Sequence, residues 1–471
     1  KRLIYTSSMS VYGHGIQPGK IFDEKKECID TFYKEFNVWF YIRNRVFYDI
    51  LNKDNGQEVI CKNQKISNID KIKFIVLSLM HKIQKKNKDI IFFSSNVVNM
   101  KNNDKYENRL YDFFYNQKKN DSVIIEDSYN FIYRRPRTEK VYYSGYISLL
   151  YKMHRIFNKS NMEDYSQISF IVDKLRNIFS DHFDDNYWCA LKQDVYFGFL
   201  FFDFAKDYYY KLFKKIKPKI VFREDASYGN YQYLAIVCEK LNIKFAEFQH
   251  GYVGMDHIAY NYGRGFFDIK ELRKLLPSYY LTFGEYWQEQ IIHPARKVVV
   301  GFPFLNKKCK KISEKKIILI ISDGDSPQQN KLLIDFVKDY AEQKNLSIVL
   351  KLHPVEASKL NEWYGDLLNQ KFVEIKIFEP VYDYLAMAKY VIGSGSTVMY
   401  EAYAFEVTPF IYESKRFLSN SVAIKLFNTF SSQNELLNLM DGKISLKTID
   451  ADYFFSKSWK TNYLDFINMI L

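Results

Sequence analysis

Two short segments hold the residue types best able to do chemistry in this chain: Lys351-Leu352-His353-Pro354 and Gly393-Ser394-Gly395-Ser396-Thr397. Each follows a run that reads as a buried strand, Leu346 to Leu350 for the first and Tyr390 to Ile392 for the second. Loops at the carboxyl edge of a parallel sheet are the usual ligand sites of doubly wound folds. A histidine held by Pro354 and a turn of small residues around Gly395 bring donors close without bulk, which suits a phosphate. His353 can balance charge on a departing phosphate, either protonated or neutral with its N–H aimed at it. Bonding a neighbouring carbonyl is the plainer alternative. Lys351, two residues earlier on the same strand face, adds charge or lies at the surface. Ser394, Ser396 and Thr397 offer hydroxyls and backbone N–H groups, or simply cap the next helix. Glu401, one turn into that helix, holds a ribose hydroxyl or is structural. The Asp323-Gly324-Asp325 turn reads as close backbone approach at Gly324, with a helix start at Ser326-Pro327. It is not read as a metal site, because two aspartates repel a phosphate unless a cation intervenes.

A second set of polar residues clusters earlier. Arg223-Glu224-Asp225 ends one expected strand, and Gln249-His250-Gly251, with Asp256 and His257, follows the next. Asp225 and Glu224 are candidate bases, with His250 and His257 as competitors. Ser94, Ser95 and Asn96 end another strand and, with Gln249, His250, Gly251 and His257, are candidate acceptor contacts. For each of these a structural hydrogen bond is the plain alternative.

The elements that must position these residues alternate. Residues 1–88 read as a mostly helical extension, with Phe32, Phe36, Trp39, Phe40 and Phe47 at near-helical spacing and a break at Asp54-Asn55-Gly56. From Asp89, strands at Ile90 to Phe93, Ser122 to Ile125, Pro218 to Phe222 and Lys244 to Phe248 alternate with helices at Tyr106 to Asn116 and Tyr231 to Leu241. A helical, aromatic insertion spans 146–212. A second series has strands at Ile317 to Ile321, Leu346 to Leu350, Glu374 to Phe378, Tyr390 to Ile392 and Pro409 to Tyr412. Interleaved strands and helices imply parallel sheets covered on both faces. The expected fold is α/β: two Rossmann-like domains, 89–305 and 306–471, facing a central cleft, with the linker near Gly301 to Lys311.

At 471 residues, 47% hydrophobic and 18% aromatic, the chain has material for two cores. No run reaches the roughly 18 apolar residues of a membrane span, and no series resembling a secretory signal is read at its start. Cys28, Cys61, Cys189, Cys238 and Cys309 show no metal spacing and imply reduced thiols in a cytoplasmic protein. The net charge of +13 leaves peripheral contact with an anionic membrane surface open. Nucleic acid is not an expected partner, since no binding motif accompanies the charge. No cofactor or metal is expected.

Several segments together resemble bacterial surface-polysaccharide glycosyltransferases of the GT-B type. Glu247 to Gly251 with His257 and Tyr260 comes first, then Thr282 to Trp287, Val300 to Pro303, Lys351 to Pro354 and Ser394 to Glu401. The His-Pro pair with a serine loop is similar to the sialyltransferase and capsule Kdo-transferase group. That resemblance implies a CMP-sugar donor, phosphate roles for His353, Ser394, Ser396 and Thr397, and a base at Glu224 or Asp225. Ala226 stands where the sialyltransferase motif has glycine. The implied function is inverting, metal-independent transfer of a sugar from a nucleotide donor to a glycan or lipid-linked glycan. Teichoic-acid-type polyol-phosphate transfer and a non-catalytic glycan-binding or assembly role are the alternatives. Arg2 to Gly13 resembles the catalytic-serine strand of short-chain epimerases, but Tyr33, Tyr41 and Tyr48 lack the lysine four residues on, so that activity is not expected.

Overall fold

The computed structural model describes residues 26–54, 67–81, 87–95, 99–127, 133–138, 141–157, 162–180, 182–255, 257–309, 315–324, 326–413 and 426–471. Arg2 to Gly13, Cys61, Asn96, Asp256 and Asp325 lie outside them. Two hairpins, β1–β2 (Phe32–Tyr33, Phe36–Asn37) and β4–β5 (Asn99–Asn102, Lys105–Asn108), stand apart from two larger sheets.

The first sheet contains β3 (Ile90–Ser95), β6 (Ser122–Asp127), β7 (Val141–Tyr143), β8 (Ile220–Arg223), β9 (Lys244–Phe248), β10 (Tyr279–Thr282) and β11 (Arg296–Val299). Its order is β11-β10-β9-β8-β3-β6-β7, parallel throughout. The second contains β12 (Ile317–Ile321), β13 (Ser347–Lys351), β14 (Val373–Lys376), β15 (Ala388–Gly393), β16 (Pro409–Tyr412) and β17 (Asn428–Phe430). Its order is β14-β13-β12-β15-β16-β17, again parallel. Ranked along the chain, both sheets follow the doubly wound order of a Rossmann fold, the first with one strand more. The expected α/β class with two Rossmann-like units is therefore present. Each sheet has a switch point where the winding reverses, β3/β8 in the first and β12/β15 in the second.

Parallel strands covered on both faces need apolar residues at every position. Ile317 to Ile321 supply them, all buried. In the first sheet Ile90, Phe92, Phe222 and Phe248 face one core, while Ile91, Phe93, Val221 and Phe245 face the other, the two-residue period of a strand. The 32-residue helix Asp185–Ile216 covers the second of these faces. Helix Val38–Asp54, within the span expected to form an extension, packs into the same core through Trp39 and Phe40. Its Arg43 is fully buried and donates to the carbonyls of Ile258 (2.7 Å) and Asn261 (3.0 Å), so it supports the loop carrying Tyr260. The chain's last helix, Trp459–Ile470, returns to the first sheet, with Tyr463 on Phe114 (4.7 Å between ring centres) and Phe466 on Tyr279 (5.1 Å).

Three local readings differ from the sequence expectation. Phe32 and Phe36, expected at helical spacing, lie in the β1–β2 hairpin, and the helix begins only at Val38. The Tyr106 to Asn116 helix is β5 followed by a short helix, Asp112–Gln117. Asn108 turns the chain there, its Oδ1 accepting from Leu110 N (2.9 Å) and Tyr111 N (2.8 Å). Strands β4, β7, β10, β11 and β17 were not anticipated. They are three or four residues long, and β11 opens with Arg296-Lys297, so no hydrophobic period marks them.

Candidate active site

In the second half three loops meet at the carboxyl ends of β12, β13 and β15. His353 caps the 3₁₀ turn Pro354–Lys359: its Nδ1 accepts from Val355 N (3.3 Å), while Glu356 accepts from His353 N (2.7 Å). Because Nδ1 is the acceptor, the neutral ring carries its proton on Nε2. Burial, with Lys351 nearby, pushes its pKa down to about 4, so neutral is the resting form. Gly324 lies against this ring at φ +99°, and a Cβ there would sit 3.3 Å from His353 Cβ. The loop after β12 is fixed through Ser322, whose Oγ accepts from Gly324 N (3.1 Å) and Asn330 Nδ2 (2.9 Å). Asn330 Nδ2 also donates to Tyr364 OH (2.8 Å), which donates to Glu356 (2.8 Å), tying the first two loops into one frame.

The other expected phosphate residues divide. Lys351 donates to the carbonyls of Leu352 (3.1 Å) and Ile377, so it braces the edge of the sheet. Ser394 is buried, donating to Asp323 (3.1 Å) and accepting from Gln329 (2.9 Å), which joins the loop after β15 to the helix Pro327–Gln343. Ser396 Oγ accepts from Val398 N (3.3 Å), the ordinary capping bond. Gly395, Ser396 and Thr397 are half-buried and form the open part of that turn. Glu401 is 9% exposed, and burial raises its pKa against the nearby Arg109 guanidinium and a Tyr382 hydrogen bond.

In the first half the corresponding edge is denser. Asp225 holds φ +57°, a strained value for a residue with a side chain, and its Oδ1 lies 3.2 Å from His250 Nδ1. Tyr260 OH donates to Glu247 (2.8 Å) and lies 3.2 Å from the same His250 nitrogen. A carboxylate and a tyrosine oxygen whose proton is already committed can both only accept. The His250 proton therefore sits on Nδ1, and Nε2 keeps its lone pair. Burial lowers the His250 pKa, which also keeps that lone pair free. The chain of bonds continues inward: Ser227 donates to Glu247, and His293 Nε2, whose Nδ1 accepts from Ala295 N (3.0 Å), lies 2.9 Å from Ser227 Oγ. Burial raises the Glu247 pKa to about 8 and lowers that of His293 to about 3.

Glu224 is buried; it accepts from Ser95 N across the β3/β8 switch point, and burial beside Asp225 raises its pKa. Ser94 is buried and receives Asn108 Nδ2 (2.6 Å). Gln249 is buried too, bonded to Gly251 O (2.8 Å) and Phe283 N (2.9 Å), so it shapes the loop that presents His250. His257 is buried against Tyr228 OH (3.2 Å), and burial lowers its pKa to about 3. Gly229, at φ +84°, lets helix Val38–Asp54 approach; a Cβ there would lie 2.1 Å from Phe40 O.

The two edges are joined. Arg109 donates to His250 O (3.1 Å) while facing Glu401 of the other half. Tyr252, two residues beyond His250, lies 6.3 Å from the Tyr400 ring. Tyr286 and Trp287 also pack on Tyr400, at 5.6 and 4.9 Å. Arg109, Ser227, His293, Asn330, Glu356 and Tyr364 were not singled out from sequence. Only Glu356, three residues after the capping His353, stood at a legible capping-box spacing. A cavity of about 740 Å³ lies elsewhere, beside β11 and the C-terminal segment, lined among others by Glu285, Arg296, Asp450, Asp452 and Asp465.

No family model matches the sequence, and no curated protein matches it. Among solved structures, the UDP-GlcNAc 2-epimerase from Methanocaldococcus jannaschii is similar at 12% identity and TM-score 0.46, over 81% of this chain and 99% of that one. CalG4, the calicheamicin glycosyltransferase, is similar at 10% identity and TM-score 0.40, over 82% and 98%. The pneumococcal O-GlcNAc transferase GtfA, in complex with UDP and GlcNAc, is similar at 11% identity and TM-score 0.39, over 57% and 60%. Likeness at this level does not reach individual residues, and the chemistry is read from the site itself.

Proposed function

We propose that this protein is an inverting, metal-independent glycosyltransferase that moves a sugar from a nucleotide donor to a glycan or lipid-linked glycan acceptor. The observation that carries the reading is the pair of histidines at the two sheet edges, His250 with a free Nε2 lone pair and His353 with an Nε2–H. His250 takes the proton of the acceptor hydroxyl as that oxygen attacks the anomeric carbon from the face opposite the phosphate. The bond from that carbon to the phosphate oxygen breaks, its electrons pass to the phosphate, and configuration inverts. His353 Nε2–H, with backbone N–H groups of the turn at 394–397, meets the developing charge. Asp225 holds the His250 tautomer and stabilises the imidazolium formed. Glu224, the other candidate base of the sequence reading, is a support for the β3 loop in this scheme. CMP is the nucleotide that the His-Pro resemblance implies.

The test is nucleotide release from CMP-, UDP- and GDP-sugars and CDP-glycerol, with cell-derived glycan acceptors. Release from one sugar donor, lost in both His250→Ala and His353→Ala, is expected, with a glycoside of inverted configuration as product. A phosphodiester product would replace the reading with polyol-phosphate transfer. Failure to turn over any donor would overturn the enzyme reading in favour of a binding or assembly role.

A further inference from the structure

We propose that the outer face of the helices Asn68–Met80 and Gly145–Phe157 docks on an anionic lipid bilayer surface. The two helices pack together beside the edge strand β7, so closely that a Cβ on Gly145 would lie 2.5 Å from Phe74 and 2.6 Å from Ser78. That contact uses their inner faces. Outside, Ile69, Ile72 and Val76 are 63%, 62% and 51% exposed, at one-turn and two-turn spacings along the first helix. Ile156 and Phe157, at the end of the second, are 76% and 81% exposed. Apolar side chains repeating on one helix face and left in water mark a surface that something else covers.

The charges decide what covers it. Lys73, Lys152 and Arg155 are exposed on the same two helices, and Gly145–Phe157 has no acidic residue. A lysine- and arginine-flanked apolar face is the composition of helices that lie in the headgroup region. A second copy of the chain would bring two basic faces together, whereas anionic headgroups neutralise them, and the net charge of +13 acts in the same direction. Among the described residues no helix is long and apolar enough to cross a membrane, so the contact is peripheral.

The experiment is co-sedimentation of the full chain with vesicles of phosphatidylcholine alone or mixed with phosphatidylglycerol. Binding is expected only to the anionic vesicles and should weaken with salt. Ile72→Glu with Phe157→Glu should lower partitioning by about tenfold or more, since apolar insertion and local charge are both lost. Lys344→Gln with Lys443→Gln, the same change in net charge beside Asp441 in the other half, should lower it little. Thermal melting checks folding of each variant, and Ile72→Gln with Phe157→Gln serves if the acidic pair melts early. Absence of anionic-vesicle binding, or equal loss in the two charge-matched pairs, would overturn the proposal. So would a wild-type dimer that Ile72→Glu with Phe157→Glu dissolves, because the face would then belong to a second copy.

Discussion

His250 and His353 each stand two residues past a strand, β9 in one sheet and β13 in the other, yet their surroundings leave them in opposite tautomers. Around His250 the partners are side chains, Asp225 and Tyr260, both acceptors, backed by the buried Glu247 and Ser227. Around His353 the partner is a backbone N–H, that of Val355, in a turn framed by Glu356 and Gly324. One ring is left with a lone pair and the other with a proton to donate. The same residue at the same place in the same fold thus takes its tautomer from which groups reach Nδ1.

The comparison breaks most visibly at His250. His250→Ala should lower kcat by about 10²–10⁴, the usual share of a general base, while leaving nucleotide-induced thermal stabilisation intact. His353→Ala should lower kcat by about 10²–10³, as for loss of a charge-stabilising donor, and should also reduce the nucleotide-induced shift. If the two variants behave alike in the binding measurement, the division of labour fails.

Asp225→Asn sharpens the point. An amide can donate to Nδ1 as well as accept, so the tautomer is no longer fixed and kcat should fall by roughly ten- to a hundredfold. The Asp225 charge raises the His250 pKa and Arg109 lowers it. The acid limb of the kcat profile should therefore move to lower pH in Asp225→Asn and to higher pH in Arg109→Gln. A limb that moves the same way in both would remove His250 as the titrating base.

The smallest effect concerns stability. The folded His353 pKa lies near 4 against an ordinary 6.5, so the folded form binds this proton less readily than the unfolded chain. Its contribution is present above pH 6.5 and is lost as pH falls through about 4. Glu247 runs the other way: raised from 4.5 to about 8, its contribution is present below pH 4.5 and is lost as pH rises through about 8. Thermal unfolding should show the midpoint declining from pH 6.5 to 8, with Glu247→Gln flattening that decline. His353→Ala should leave that range unchanged; between pH 4.5 and 6.5, where the two contributions oppose, it should remove the His353 rise and so make the midpoint fall more steeply with pH.

Composition and pattern by themselves determined the α/β class and the two series of strands. They also placed His353, Gly393 to Thr397, Glu224-Asp225 and His250 at strand ends. The reason is local: a buried parallel strand must be apolar at every position, as in Ile317 to Ile321, so its polar successor marks the sheet edge. What each polar residue does at that edge was decided only by tertiary structure. Lys351 turns to the Ile377 carbonyl, Ser394 is held by Asp323 and Gln329, and Gln249 is enclosed by its own loop. Arg109, just past the end of β5, donates to His250 O and lowers the Glu401 pKa electrostatically from a turn that no periodicity announced. Such roles depend on donors and acceptors 26 to 141 residues apart in the chain. Hydrogen bonds of that span are set by how the sheets twist and pack, and spacing along a sequence does not record them.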